Sequence, residues 1–129
     1  MSSETPARSP GADWRSLVRK NGTKEFAAAF AANPVLDAST MAGPCVGIDA
    51  IGSFFAATTS GMYDSLTFTD ETVAGSKTYM EWEGTAFGTD VGGATIVTRN
   101  EAGLIESIRL YHRPLQVVQL FSAELAKRL

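Results

Sequence analysis

The chain has 129 residues, 44% of them hydrophobic, and its 14 Asp and Glu against 11 Lys and Arg leave a net charge of -3 at pH 7. That length fits one domain burying roughly two thirds of its unfolded surface, and the acidic balance argues against nucleic acid or a membrane surface as partner. With one cysteine, Cys45, and one histidine, His112, no intrachain disulfide can form and too few ligands remain for a zinc site, so neither metal nor cofactor is expected.

Residues 1–11, "MSSETPARSPG", are polar and rich in Pro and Ser, and read as a flexible tail with no secretory signal. No apolar run approaches membrane-spanning length, so the expectation is a soluble, cytoplasmic protein whose single domain covers residues 12–129. Asp13 is placed to cap a helix over 13–20, with Trp14, Leu17 and Val18 on one stripe. Asn21-Gly22 breaks it, and Thr23 caps "TKEFAAAFAAN", where Phe26 and Phe30 stand four apart. Asn33-Pro34 ends that helix, because the residue before proline is pushed out of the α region. "PVLDAST" is then a short first strand and "MAGPCVG" a loop. A helix over about 48–58 follows, burying Ile48, Ile51, Phe54 and Phe55, with Asp49 in its first turn suiting the dipole. Tyr63-Asp64 lie in the connection after it.

The apolar period then switches from 3.6 to 2. "SLTFTDETV" and "KTYMEWEGTAF" flank a turn at Ala74-Gly75-Ser76, while "GATIVTR" and "GLIESIRLYH" flank "NEAG", giving two hairpins. Pro114 opens a last helix with Leu115, Val118, Phe121, Leu125 and Leu129 as its stripe. Helices, then antiparallel strands, then a helix make an α+β domain. Alternation places Met80, Trp82, Gly84 and Ala86 on the helix-facing side of one strand, opposite Tyr79, Glu81 and Glu83. In the last strand Leu104, Ile108, Leu110 and His112 share the inner face, and Ser107, Arg109, Tyr111 and Arg113 the outer. A lone histidine at a strand end is more often a satisfied structural residue than a catalyst. Its pKa nonetheless suits proton transfer near neutrality.

"FAANPVLDAS", "GIDAIGSFFAAT", "YMEWEGTAFGT" and "NEAGLIESIRLYH" together resemble the SnoaL-like branch of the nuclear transport factor 2-like superfamily, over about residues 13–114. The resemblance implies a cystatin-like cone: a strongly curved, mainly antiparallel sheet around N-terminal helices, with an apolar pocket open at one end. It spans ketosteroid isomerases, polyketide cyclases, dehydratases, epoxide hydrolases and non-catalytic modules, so fold alone decides no activity. The family's catalytic positions are mostly not kept. Trp14 stands where the isomerases carry an oxyanion-binding tyrosine, Ala38 where they carry the basic aspartate, and Thr95 where they carry a protonated aspartate. Leu110 replaces an acid of the hydrolases. The pocket lining is what carries over: Trp14, Val18, Phe54, Met80, Trp82, Thr95, Val97, Leu110 and His112.

A one-residue slip would turn Asp37 inward in place of Ala38, so Asp37 and His112 are the candidate catalytic pair, with Asp37 orienting the imidazole. Two functions stay open. One is a cofactor-independent lyase, isomerase or cyclase acting on a hydrophobic carbonyl compound of polyketide or steroid type, with His112 moving the proton. The other is a ligand-binding or dimerisation module that has lost its carboxylates. The expected partners are a small hydrophobic molecule and a second copy docked through the outer sheet face.

Overall fold

The computed structural model describes residues 9–129; residues 1–8 of the expected tail lie outside the described residues. The elements run α1 (Ala12–Arg19), α2 (Lys24–Ala28), β1 (Phe30–Ala38), β2 (Cys45–Val46), α3 (Ile48–Thr58), β3 (Ser65–Ala74), β4 (Lys77–Ala86), β5 (Thr89–Arg99), β6 (Ile105–Arg113) and α4 (Leu115–Arg128). The strands form one curved, open sheet in the order β2-β1-β6-β5-β4-β3. Only β1 and β6 pair in parallel; the other neighbours are antiparallel. The core lies between the concave face and the helices, with Phe26, Phe54, Phe121, Leu36, Ile51, Ile105 and Ile108 as its largest fully buried apolar side chains. α3 packs on β1 and β2, and α4 on β6 and α3. This is the α+β cone that the sequence pattern and the resemblance imply.

α1 is capped by Gly11 rather than Asp13, which sits in the first turn instead. Gly11, expected at the end of a loose tail, is buried; its N–H donates to Glu71 Oε1 at 2.7 Å. Its φ of 71° and the Phe68 ring lying against it leave no room for a side chain. Thr23 caps α2 as expected, accepting from Phe26 N at 3.2 Å. That helix is only five residues long. The alanine-rich stretch leaves helix geometry at Phe30, because pairing with Ile105 of β6 wins over helix propensity. Asn33 therefore does not end a helix. It takes a φ of 53° in an irregular stretch of β1, where Pro34 needs no ladder donor. Phe26 and Phe30 still meet, with ring centroids 4.8 Å apart.

β6 contains a further departure from simple alternation. Thr98 pairs with Ser107 but Arg99 pairs with Ile105, so Glu106 is an extra residue in the ladder. One extra residue reverses parity beyond it. Ile105 therefore takes the core position expected of Leu104 and is 1% exposed. In α4 the buried stripe is Val117, Phe121 and Leu125, while Leu115 and Leu129 are exposed and Val118 is half-buried.

Candidate functional site

The sheet rows position the site. Across β4, β5 and β6 the concave face carries Thr78–Val97–Ile108, then Met80–Thr95–Leu110, then Trp82–Gly93–His112. Because Gly93 has no side chain, Trp82 and His112 close over it, with ring centroids 4.8 Å apart and nearly perpendicular. Phe121 of α4 completes the wall, 4.9 Å from the imidazole centroid. Tyr63, from the loop after α3, closes the fourth side. Its hydroxyl lies 2.7 Å from His112 Nε2, and its ring packs edge-on against Trp82.

His112 is 8% exposed. Burial lowers its pKa from the usual 6.5 to about 4, since the charged form is the one desolvation penalises. The same burial pushes the Tyr63 phenol above its ordinary range. The pair is therefore neutral on both sides at pH 7. The His112 backbone N–H is taken by Ser39 Oγ at 2.9 Å, while its Nδ1 is buried with no partner among the described residues. The tautomer follows from that orphan. If Tyr63 donates to Nε2, the proton on Nδ1 is a buried donor with nothing to bond. If Nε2–H donates to Tyr63 Oη, only an acceptor is left unpaired, the less costly fault. Tyr63 then keeps its own proton for another acceptor.

Beside this corner lies a cavity of about 280 Å³. Trp14, Val18, Phe54, Trp82, Thr95 and Leu110 line it, as does Tyr63. Met80 and Val97 do not; at 2% and 0% exposure they are packed core. His112 stands behind Tyr63 and Trp82 and is not itself in the lining. Thr95, 1% exposed, accepts from Trp82 Nε1 at 3.0 Å. Its own hydroxyl proton has no acceptor among the described residues. Among the described residues no carboxylate lines the cavity. Among the described residues no three His, Cys, Asp or Glu gather as a metal site would require.

The expected partnership of Asp37 and His112 is not made. Asp37 is exposed on the convex face and registers with Arg109, whereas Ala38, 4% exposed, turns inward and registers with Leu110. The gap-free count through β1 holds, and the imidazole is met by a phenol instead of a carboxylate. Tyr63 was visible in the sequence only as a residue of the connection after α3; nothing local marks it as a histidine partner.

No protein-family model matches the sequence, and a search of curated proteins finds no match. Solved structures do match. A bacterial protein with a cystatin-like fold from Silicibacter pomeroyi is 19% identical at a TM-score of 0.79, over 91% of this chain and 82% of its own. A steroid delta-isomerase from Pseudomonas aeruginosa is 14% identical at 0.77, over 91% and 86%. A Mycobacterium tuberculosis protein crystallised with estradiol-17beta-hemisuccinate is 19% identical at 0.56, over 85% and 98%. Likeness at these identities establishes architecture: the chain has the cystatin-like cone fold, in the form also taken by ketosteroid isomerase-like and SnoaL-like proteins.

Proposed function

We propose that the chain binds a small, mainly apolar molecule in its cone, gripping an oxygen of that molecule with the Thr95 hydroxyl. The observation carrying this reading is an aromatic and aliphatic cavity whose buried Thr95 holds a proton that no acceptor among the described residues uses. The estradiol derivative held by a protein of the same fold supports it. Tyr63, if its proton is free, is a second donor on the same wall.

A second reading, isomerase-type chemistry, is favoured by the 2.7 Å contact between Tyr63 and His112. There a proton leaves the ligand for Tyr63 Oη while the Tyr63 proton passes to His112 Nε2. That route needs the tautomer with an orphaned Nδ1–H. It also charges an imidazole whose buried pKa is about 4. Binding is therefore placed ahead of catalysis.

Aromatic and alicyclic ketones should raise Tm when tested by thermal shift, by about 2.7 kcal/mol of stability at a hundred-fold excess over Kd. Leu110→Trp, which fills the cavity, should abolish the effect. Ketones that stabilise L110W as well as the native chain would place their site elsewhere. Conversion of a β,γ-unsaturated ketone by the native chain, lost in both Y63F and H112F, would move the second reading to first place. We further propose a homodimer through the convex sheet face, where Tyr79 and Tyr111 are 42% and 47% exposed.

A further inference from the structure

The cavity is not uniformly apolar. Along α1, Trp14 and Val18 turn into it, and Arg15 and Arg19 form its lip. Four residues apart on a helix, the two guanidinium groups share one side. Thr58, Thr59 and Gly61 also line the cavity, Thr58 buried and the other two exposed. Both threonine hydroxyls are already spent on the Phe55 carbonyl, at 3.4 and 2.6 Å.

Nearby cations are also engaged. Lys20 holds Glu25 at 2.9 Å, and Arg128 holds Glu124 at 2.8 Å and the carbonyls of Ala57 and Ser60. Arg15 and Arg19 make no ion pair among the described residues, and the lining they belong to contains no acidic side chain. In a chain of net charge -3 this is a local reversal of sign beside an apolar chamber. Hydrocarbon alone gains nothing from two guanidinium groups. A carboxylate gains charge-assisted, fork-shaped hydrogen bonds from them.

From this we propose that the ligand is an amphipathic carboxylate: an apolar body of one or two rings in the cone, and an anionic end held at the lip by Arg15 and Arg19. The volume of about 280 Å³, at the small end for ligand sites, sets the size of the body. The inference rests on the reading of the cone as a ligand pocket and adds the polarity of what enters it. The competing use of the arginines is to drape their alkyl stems over aromatic surface with the heads in water, which gives no preference for an anion.

The experiment compares 2-naphthylacetate with its neutral isostere 2-naphthylacetamide, with binding read by tryptophan fluorescence. The native chain should prefer the acid roughly ten-fold, the value of a charge-assisted hydrogen bond over a neutral one. The preference should shrink with added salt, because the lip is exposed. In the R15Q/R19Q double variant the ratio should fall to about one, whereas K24Q, an exposed cation away from the lip, should keep it. Acid and amide binding equally to the native chain would overturn the anionic inference and leave the pocket standing. An acid preference that survives in R15Q/R19Q would also overturn it. If neither probe binds, both readings fall.

Discussion

Gly92 and Gly93 lie side by side in β5 and point to opposite faces of the sheet. On the concave face, Trp82 of β4 and His112 of β6 meet over Gly93. On the convex face, Glu83 and Arg113 of the same two strands meet over Gly92, 3.7 Å apart. The geometry is nearly the same on both sides, and solvent is what separates them. The inner pair is walled in by Tyr63 and Phe121, and its histidine is forced neutral. The outer pair leaves both side chains 66% exposed, where an ion pair contributes about 0–1 kcal/mol. Burial, rather than contact, sets what each side can do.

The strongest way to break this contrast is to remove the wall. Deleting residues 115–129 takes away Val117, Phe121 and Leu125, all 0–1% exposed, and opens His112 to water. At about 1.5–3 kcal/mol each, the loss is roughly 5–9 kcal/mol, comparable to the whole stability of an ordinary domain. The truncated chain should be largely unfolded by circular dichroism. Retention of native signal and melting temperature would show that α4 is an appendage.

Acid tests the inner face next. The folded pKa of His112, about 4, lies below its unfolded value of 6.5. Above pH 6.5 neither state binds the proton and nothing is lost. Between pH 6.5 and 4 the unfolded chain takes up a proton that the folded chain refuses, so stability falls. Below about 4 the loss is complete, at about 3 kcal/mol. Carboxylates titrate at the lower end of that window, so the measurement is a comparison of native and H112F chains by urea denaturation. The difference between them should shift across pH 4–6.5 and stay flat from 7 to 8. Parallel curves throughout would mean that the imidazole is solvated.

What the sequence revealed follows the same division. Strand alternation identified the inner rows of β4 and β6 near the site, because burial imposes period 2 on residue choice there, and the bounds of α3 came directly from its apolar spacing. The extra residue Glu106 was illegible: a bulge leaves no compositional trace when Leu104 and Ile105 are both apolar, so the parity of that end was assigned the wrong way round. α4 failed similarly, since apolar residues at 115, 117, 118, 120 and 121 admit more than one stripe. The Asp37 pairing failed because its one-residue slip does not occur. Tyr63 belongs to a loop with no periodicity, and only the tertiary fold brings it to a histidine 49 residues away.

A methyl group on each glycine sharpens the comparison at smaller cost. At Gly93 a Cβ would lie 2.6 Å from the Trp82 ring, with the Tyr111 carbonyl closer still, so backbone and ring must both shift. Gly93→Ala should destabilise by about 1–3 kcal/mol, as overpacking does. At Gly92 the obstruction is the Arg113 guanidinium, the far end of an exposed and flexible side chain. Gly92→Ala should cost under about 0.5 kcal/mol, because the arginine swings aside. Equal costs by thermal denaturation would show that the strand, and not the face, governs this pair.

The smallest effect on stability is expected on the convex face, and there the readout is assembly. Tyr79, Ile96 and Arg109 form one outer row, and Glu81, Ala94 and Tyr111 the next, so short side chains on β5 lie in a trough between longer ones. A second copy related by two-fold symmetry would set tyrosines into that trough and bring acidic and basic residues into opposition. Arg109→Glu should leave the monomer's urea midpoint nearly unchanged, within about 0.5 kcal/mol, since the side chain is exposed. It should nonetheless lower the dimer fraction in light scattering, by placing like charges across the interface. Tyr111→Ser should do the same by removing apolar area, with no change in net charge. If the native chain scatters as a strict monomer at millimolar concentration, the convex face is simply solvated. If it dimerises and neither substitution matters, the second copy docks on another surface.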